Sequence, residues 1–160
     1  MEIKSRHHLR TDAVDEIRNA LADQLGVELP DVPFELVEFA ELPYDVVLID
    51  GSPDVFYLES GEPFVTVRGA NAYDPSTHVV TVDAGAVEFL SNGADVMRPG
   101  IVSADEDIES GDLVVVKEET HGKFLAVGRA KVDGDDLLGD EGRVIDTIHH
   151  VGDELYDLKL

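Results

Sequence analysis

Four groups of side chains in this 160-residue chain are of types that could do chemistry. A loop written GAVEFLSNGADVMRPGI, residues 85–101, sets one arginine, Arg98, between glycines and a Pro-Gly pair. Histidines occur in pairs at His7–His8 and His149–His150, and a basic run, KSRHHLR, fills residues 4–10. Finally there are 35 carboxylates against 12 lysines and arginines. Carboxylates at that density meet by chance, so no pair of them stands out as a general acid and base. Adjacent residues of a strand point to opposite faces, so the imidazoles of His149 and His150 do not share one metal ion. With no cysteine and no H-E-x-x-H spacing, no metal ligand set, cofactor fingerprint or thiolate nucleophile is written here. A phosphate loop of the NTPase type follows a strand and opens a helix, whereas GADVMRPG follows a helix and precedes a strand. The residues therefore predict no enzyme, no metal and no cofactor, and leave the loop as the feature to explain.

What positions that loop can be read on either side of it. Asp83 is placed to cap a short helix starting at Ala84, with Ala86, Phe89 and Leu90 facing inward and Val87 beside them. Gly93 is a left-handed stop, Pro99 fixes its own backbone, and Gly100 is expected to take the positive φ of a tight turn. The result is a short, pre-shaped loop whose glycines admit a phosphate or ribose, with Arg98 free to add a charge-assisted contact.

Upstream, Thr11 or Asp12 caps a helix in which Val14, Ile17, Leu21 and Leu25 recur at helical spacing, and Gly26 ends it. The strand-like runs PFELVEF, DVVLID, VFYLES and PFVTVRG follow, separated by turn residues. GANAYDPSTH breaks the pattern, which sets a domain boundary near Asp74 to Ser76: residues 1–75 as a small α+β unit, residues 76–160 as a second one. The second unit offers HVVTV, DLVVVKEE, KFLAVGRAKV, RVIDTIHHV and ELYDLKL as strands around one early helix, the signature of a small barrel. The expected class is α+β, an N-terminal helix on a small antiparallel sheet followed by a pseudobarrel. KSRHHLR is read as an unstructured arm or a second contact surface.

Net charge is −23, spread evenly: 16 acids and 5 bases in residues 1–75, 19 and 7 in residues 76–160. Only five bases are lysines. Such a surface resembles that of proteins from salt-loving archaea, where screening lengths near 3 Å at about 1 M salt leave only close contacts to count. Net charge then does not veto a polyphosphate partner. No apolar run approaches the roughly 20 residues of a membrane span, and the N-terminus lacks a signal-peptide core, so a cytoplasmic protein is expected.

VDAGAVEFLSNGADVMRPGIV resembles the first strand, helix and loop of the PUA domain, an RNA-binding pseudobarrel. GDLVVVKEE, FLAVGRAKV and GRVIDTIHHVGDELY fall in the order of its later strands, so the resemblance covers residues 76 to about 158. With the N-terminal helix and GEPFVTV, the whole chain resembles the malignant-T-cell-amplified-sequence family, in which a pre-PUA domain precedes the PUA domain. That resemblance implies RNA binding without catalysis, in translation, on structured RNA: tRNA or rRNA of the small ribosomal subunit. It also implies a protein partner related to density-regulated protein. The loop residues it points to are Gly93, Ala94, Asp95, Met97, Arg98, Pro99 and Gly100. The strand residues are Arg143, His149 and His150, with Arg129 and Lys131 on the neighbouring strand. Asp95 departs from a basic surface and is expected to cap the loop. The other reading of the same features is a subunit that delivers RNA to a separate modifying enzyme.

Overall fold

The computed structural model describes residues 1–160. Strands β1 (Ile3–His8), β2 (Phe34–Phe39), β3 (Asp45–Ile49), β4 (Ser52–Tyr57) and β5 (Pro63–Val65) form one antiparallel sheet in sequence order. The KSRHHLR run is therefore not a loose arm. Its residues pair with β2 from His8–Glu35 to Ile3–Phe39, and Arg6 adds an ion pair to Glu35 at 2.9 Å.

Helix α1 (Thr11–Leu25) packs Ile17, Leu21 and Leu25 onto this sheet, each fully buried. Its start differs from expectation. Arg10 precedes it without a side-chain cap, and the Asp12 carboxylate accepts a bond from the Ala13 amide at 3.0 Å instead. Its end is as read: Gly26, at φ 64, donates back to the helix carbonyls.

Residues read as a breaker are in fact a second helix, α2 (Val67–Tyr73). The Thr66 hydroxyl accepts from the Gly69 amide at 3.0 Å, so a cap outweighs the poor helix propensity of Gly and Asn. Gly69 is obligatory here, because a Cβ would stand 1.9 Å from the Asp54 carbonyl oxygen of β4.

Strands β6 (Val79–Val82), β7 (Val96–Met97), β8 (Ile101–Ala104), β9 (Leu113–Glu118), β10 (Phe124–Ala130) and β11 (Arg143–His150) make a six-stranded pseudobarrel. Their order is β7-β11-β10-β9-β6-β8, with β6 and β9 parallel and the other neighbours antiparallel. Helix α3 (Val87–Ser91) lies between β6 and β7. ELYDLKL is not a strand: the Asp153 carboxylate accepts from the His150 and Tyr156 amides and folds this segment into turns. The class is α+β, as the patterning predicts.

One core of 14 residues fills the pseudobarrel. A larger one of 24 joins α1 and the first sheet to Leu113, Val115, Phe124 and Val127 of the second, and to Leu155 and Leu158. Polar contacts reinforce that joint. The Val67 amide donates to His149 Nε2 at 3.0 Å, and Asn71 exchanges two hydrogen bonds with the Phe124 backbone at 2.9 and 3.1 Å. Arg68 donates to the Tyr156 carbonyl while its guanidinium lies over the Tyr156 ring. Arg129 pairs with Glu62 at 2.9 Å across the same joint. No helix is long and apolar enough to cross a membrane.

Candidate functional site

The loop after β6 begins as expected, with Asp83 Oδ1 accepting from the Ala86 amide at 3.2 Å. The chain then makes a 3-10 turn over Ala84–Ala86 before α3 starts at Val87. That turn changes the phase of the helix face. Leu90 is buried in the barrel core, but Phe89 is 66% exposed, not inward-facing as its spacing suggests. Gly93, at φ 85, ends the helix, and the Ala94 amide donates back to the Phe89 carbonyl.

Beyond it, β7 pairs with the Arg143–Ile145 end of β11, and a second 3-10 turn, Arg98–Gly100, leads into β8. Gly100 has no positive φ; its role is close approach, since a Cβ would sit 3.3 Å from that of Ala86. The two turns and α3 enclose an open groove of about 560 Å³, lined by Asp83, Gly85, Ala86, Phe89, Leu90, Ala94, Asp95, Val96, Met97, Pro99, Gly100 and Arg143. Met97 is 49% exposed, so the groove presents a thioether and an aromatic ring to solvent.

Asp95 stitches the loop to β11. Its carboxylate accepts from the Thr147 amide at 2.8 Å and from Arg143 Nη1 at 3.3 Å, while Thr147 Oγ1 donates to the Ala94 carbonyl. Arg143 is exposed at the rim but shared between Asp95 and Asp146.

Arg98 does not serve as a free charge. Its Nε donates to the Asp136 carbonyl at 2.9 Å and its Nη1 to the Glu141 carbonyl at 3.0 Å, holding the 134–142 segment. Gly139 and Gly142 lie so close to its side chain that a Cβ at either would come within 3.0 Å of it. Arg129 is likewise committed, to Glu62 and to the Gly111 carbonyl, and Lys131 is exposed just beyond β10, outside the groove lining.

The two neighbouring histidines part company. His149 is fully buried, with Nε2 accepting from the Val67 amide and Nδ1 facing the Asp153 carboxylate at 2.8 Å; it is a joint residue, out of reach of any polynucleotide. Burial by itself would raise the Asp153 carboxyl. The bonds it accepts from His149 and from the His150 and Tyr156 amides outweigh burial and hold it below the usual aspartate range. His150 is half-buried and lies against Gly93, with Nδ1 2.9 Å from the Val151 carbonyl oxygen.

Of the residues singled out from sequence, Ala94, Asp95, Met97, Pro99, Gly100 and Arg143 line one groove, and Gly93 and His150 stand beside it. Arg98, Arg129 and His149 are spent on the fold. Nothing in the sequence marks Phe89 as a surface residue, because its apolar character and i+3 spacing from Ala86 carry no sign of the 3-10 turn that rotates it outward. No group of three or more His, Asp or Glu side chains converges at ion-binding distance.

The PUA domain profile matches residues 78–152. An uncharacterized protein of Methanocaldococcus jannaschii is 32% identical over 99% of both chains. Translation machinery-associated protein 20 of Eremothecium gossypii is 24% identical over 96% of this chain and 94% of its own. Malignant T-cell-amplified sequence 1 of Danio rerio is 28% identical over 94% and 90%. Among solved structures, a conserved PUA-domain protein from Thermoplasma acidophilum superposes with a TM-score of 0.82 at 33% identity, covering 95% of this chain and 97% of that one. On the sequence match, the shared architecture and its near-complete coverage, the chain belongs to the PUA-domain proteins, and it is homologous to proteins of the malignant-T-cell-amplified-sequence family.

Proposed function

We propose that the chain is a non-catalytic RNA-binding protein of the translation machinery, and that the groove between α3 and β7 receives structured RNA. The division near residue 75 into a pre-PUA unit and an RNA-binding unit belongs to the same proposal. So do tRNA or the small ribosomal subunit as target, a cytoplasmic location and a protein partner related to density-regulated protein. The observation that carries the reading is a pre-shaped, solvent-open groove with Phe89 and Met97 exposed, in the helix-loop segment of a PUA domain. The relatives named for malignant-T-cell amplification and for association with the translation machinery span nearly its whole length.

The groove's own charges decide the mode of binding. Its one base, Arg143, is already paired, and Asp83 and Asp95 stand at the lining. Affinity from counterion release requires free cations, which this surface lacks. Stacking on Phe89, apolar contact with Met97 and hydrogen bonds to ribose and main chain supply it instead. Such binding persists in concentrated salt.

Crosslinking in native high-salt lysate tests the reading. Gly93→Glu would strain a positive-φ position and drive a side chain into His150, and Arg98→Glu would release the 134–142 segment, so neither isolates the groove. Phe89→Glu combined with Met97→Glu changes only exposed side chains. The expected result is a loss of RNA crosslinking of about tenfold or more, at the scale of one lost base stack, with an unchanged unfolding midpoint. Full crosslinking by the folded double variant would place the RNA elsewhere.

A further inference from the structure

His150, unlike the buried His149 beside it, has a ring nitrogen that is both unpaired and open. Its Nδ1 lies 2.9 Å from the Val151 carbonyl oxygen, an atom that only accepts. Nδ1 therefore carries the hydrogen, and in the neutral ring Nε2 is left as an acceptor. No group of the protein donates to that Nε2, and no unpartnered side-chain nitrogen or oxygen of the protein is sealed from solvent. Nε2 thus reaches the surface. It does so beside Gly93, where a Cβ would stand 2.9 Å from it. A side chain at residue 93 would cover this acceptor; glycine leaves it uncovered, next to Ala94 at the end of the groove.

The surroundings select what such an acceptor can take. The Asp153 carboxylate accepts from the His150 amide, and Asp95 stands two residues beyond Gly93. In the neutral ring Nε2 has no hydrogen to give an anionic phosphate oxygen. A neutral hydroxyl finds an acceptor. On a polynucleotide lying across Gly93 and Ala94, the hydroxyl present on every residue whatever its base is the ribose 2′-OH. We infer that His150 Nε2 accepts a hydrogen bond from a ribose 2′-hydroxyl and so makes the site prefer RNA over DNA. This inference rests on the RNA-binding reading above and adds the atom that distinguishes the sugar.

The test uses the full chain, in concentrated potassium chloride, with a stem-loop RNA bearing an unpaired 3′ end. Its all-deoxy counterpart and a set with single 2′-deoxy substitutions complete the probes. Wild type should bind the RNA form more tightly than the DNA form, and one single-deoxy probe should lose about threefold to tenfold, the scale of one hydrogen bond. In His150→Phe the RNA affinity should fall by the same factor, DNA affinity should stay unchanged, and that one deoxy substitution should no longer matter. His150→Gln, which keeps an acceptor oxygen, should restore part of the preference. The single-deoxy scan on wild type stands even if a variant fails to fold, and a scan with no sensitive position overturns the inference. So does a deoxy penalty that survives intact in folded His150→Phe. If neither the RNA nor the DNA stem-loop binds at all, the RNA-binding reading itself fails, and this inference with it.

Discussion

The joint between the two sheets and the groove beside α3 both draw on β11, and they use their polar groups in opposite ways. At the joint, His149, Asn71, Arg68 and Glu62 each meet a partner from the other half of the molecule, and the buried imidazole is bonded at both nitrogens. At the groove, one residue further along the same strand, His150 keeps a nitrogen open while Phe89 and Met97 face solvent. A buried polar group is costly unless fully paired, so the joint is specific and rigid. An exposed apolar surface costs little to the fold and becomes useful only when something covers it. Stability and the proposed recognition are thereby given to adjacent residues of one strand.

The comparison can be broken most severely at its buried member. His149→Leu removes the acceptor for the Val67 amide and the partner of Asp153 together, and should cost about 3 kcal/mol in urea unfolding, because both are left unpaired in the joint. RNA crosslinking by the remaining folded protein should be unchanged.

Acid probes the same place more gently. Asp153 and Asp105 both sit below the usual aspartate range, each because accepted hydrogen bonds outweigh a burial that acts in the other direction. A depressed carboxyl stabilises the fold above its unfolded value, about 3.9, and the contribution is lost as pH falls through the lower folded value. Unfolding midpoints should therefore be flat with respect to these two groups from pH 7 to about 5 and decline below about 4. In His149→Leu the decline should be shallower, since Asp153 no longer gains from its partner.

The smallest effect sharpens the boundary between the two regions. Arg98→Ala loses two bonds to carbonyl oxygens at a partly exposed site and should cost about 1 kcal/mol. Hydrogen exchange should quicken for residues 134–142 while the joint stays protected.

Much of this architecture can be read from residue pattern, and the exceptions share a cause. Gly26, Gly93 and Asp83 act as their local chemistry requires, because a cap or a left-handed stop depends on the few residues around it. Strands β2, β3, β9, β10 and β11 follow their apolar runs for the same reason. Alternation places His149 and His150 on opposite faces, but which face is buried depends on α2 arriving from 82 residues away. Helix α2 itself is hidden by its Gly and Asn, whose value lies in contacts with β4 and β10. Arg98 reads as a free cation only until the 134–142 segment is folded against it. In the candidate site, loop position was therefore legible, while the availability of each side chain was a tertiary property.

The packing of Leu155 and Leu158 against the first sheet has a consequence for how the molecule is made. During synthesis α1 and the strands of the first sheet emerge well before Leu155 and Leu158, and until those two follow, their shared interior stays open on one side. The first sheet is thus completed only after residues far downstream of it, and its valines and leucines must be sheltered in that interval, by speed of closure or by a chaperone.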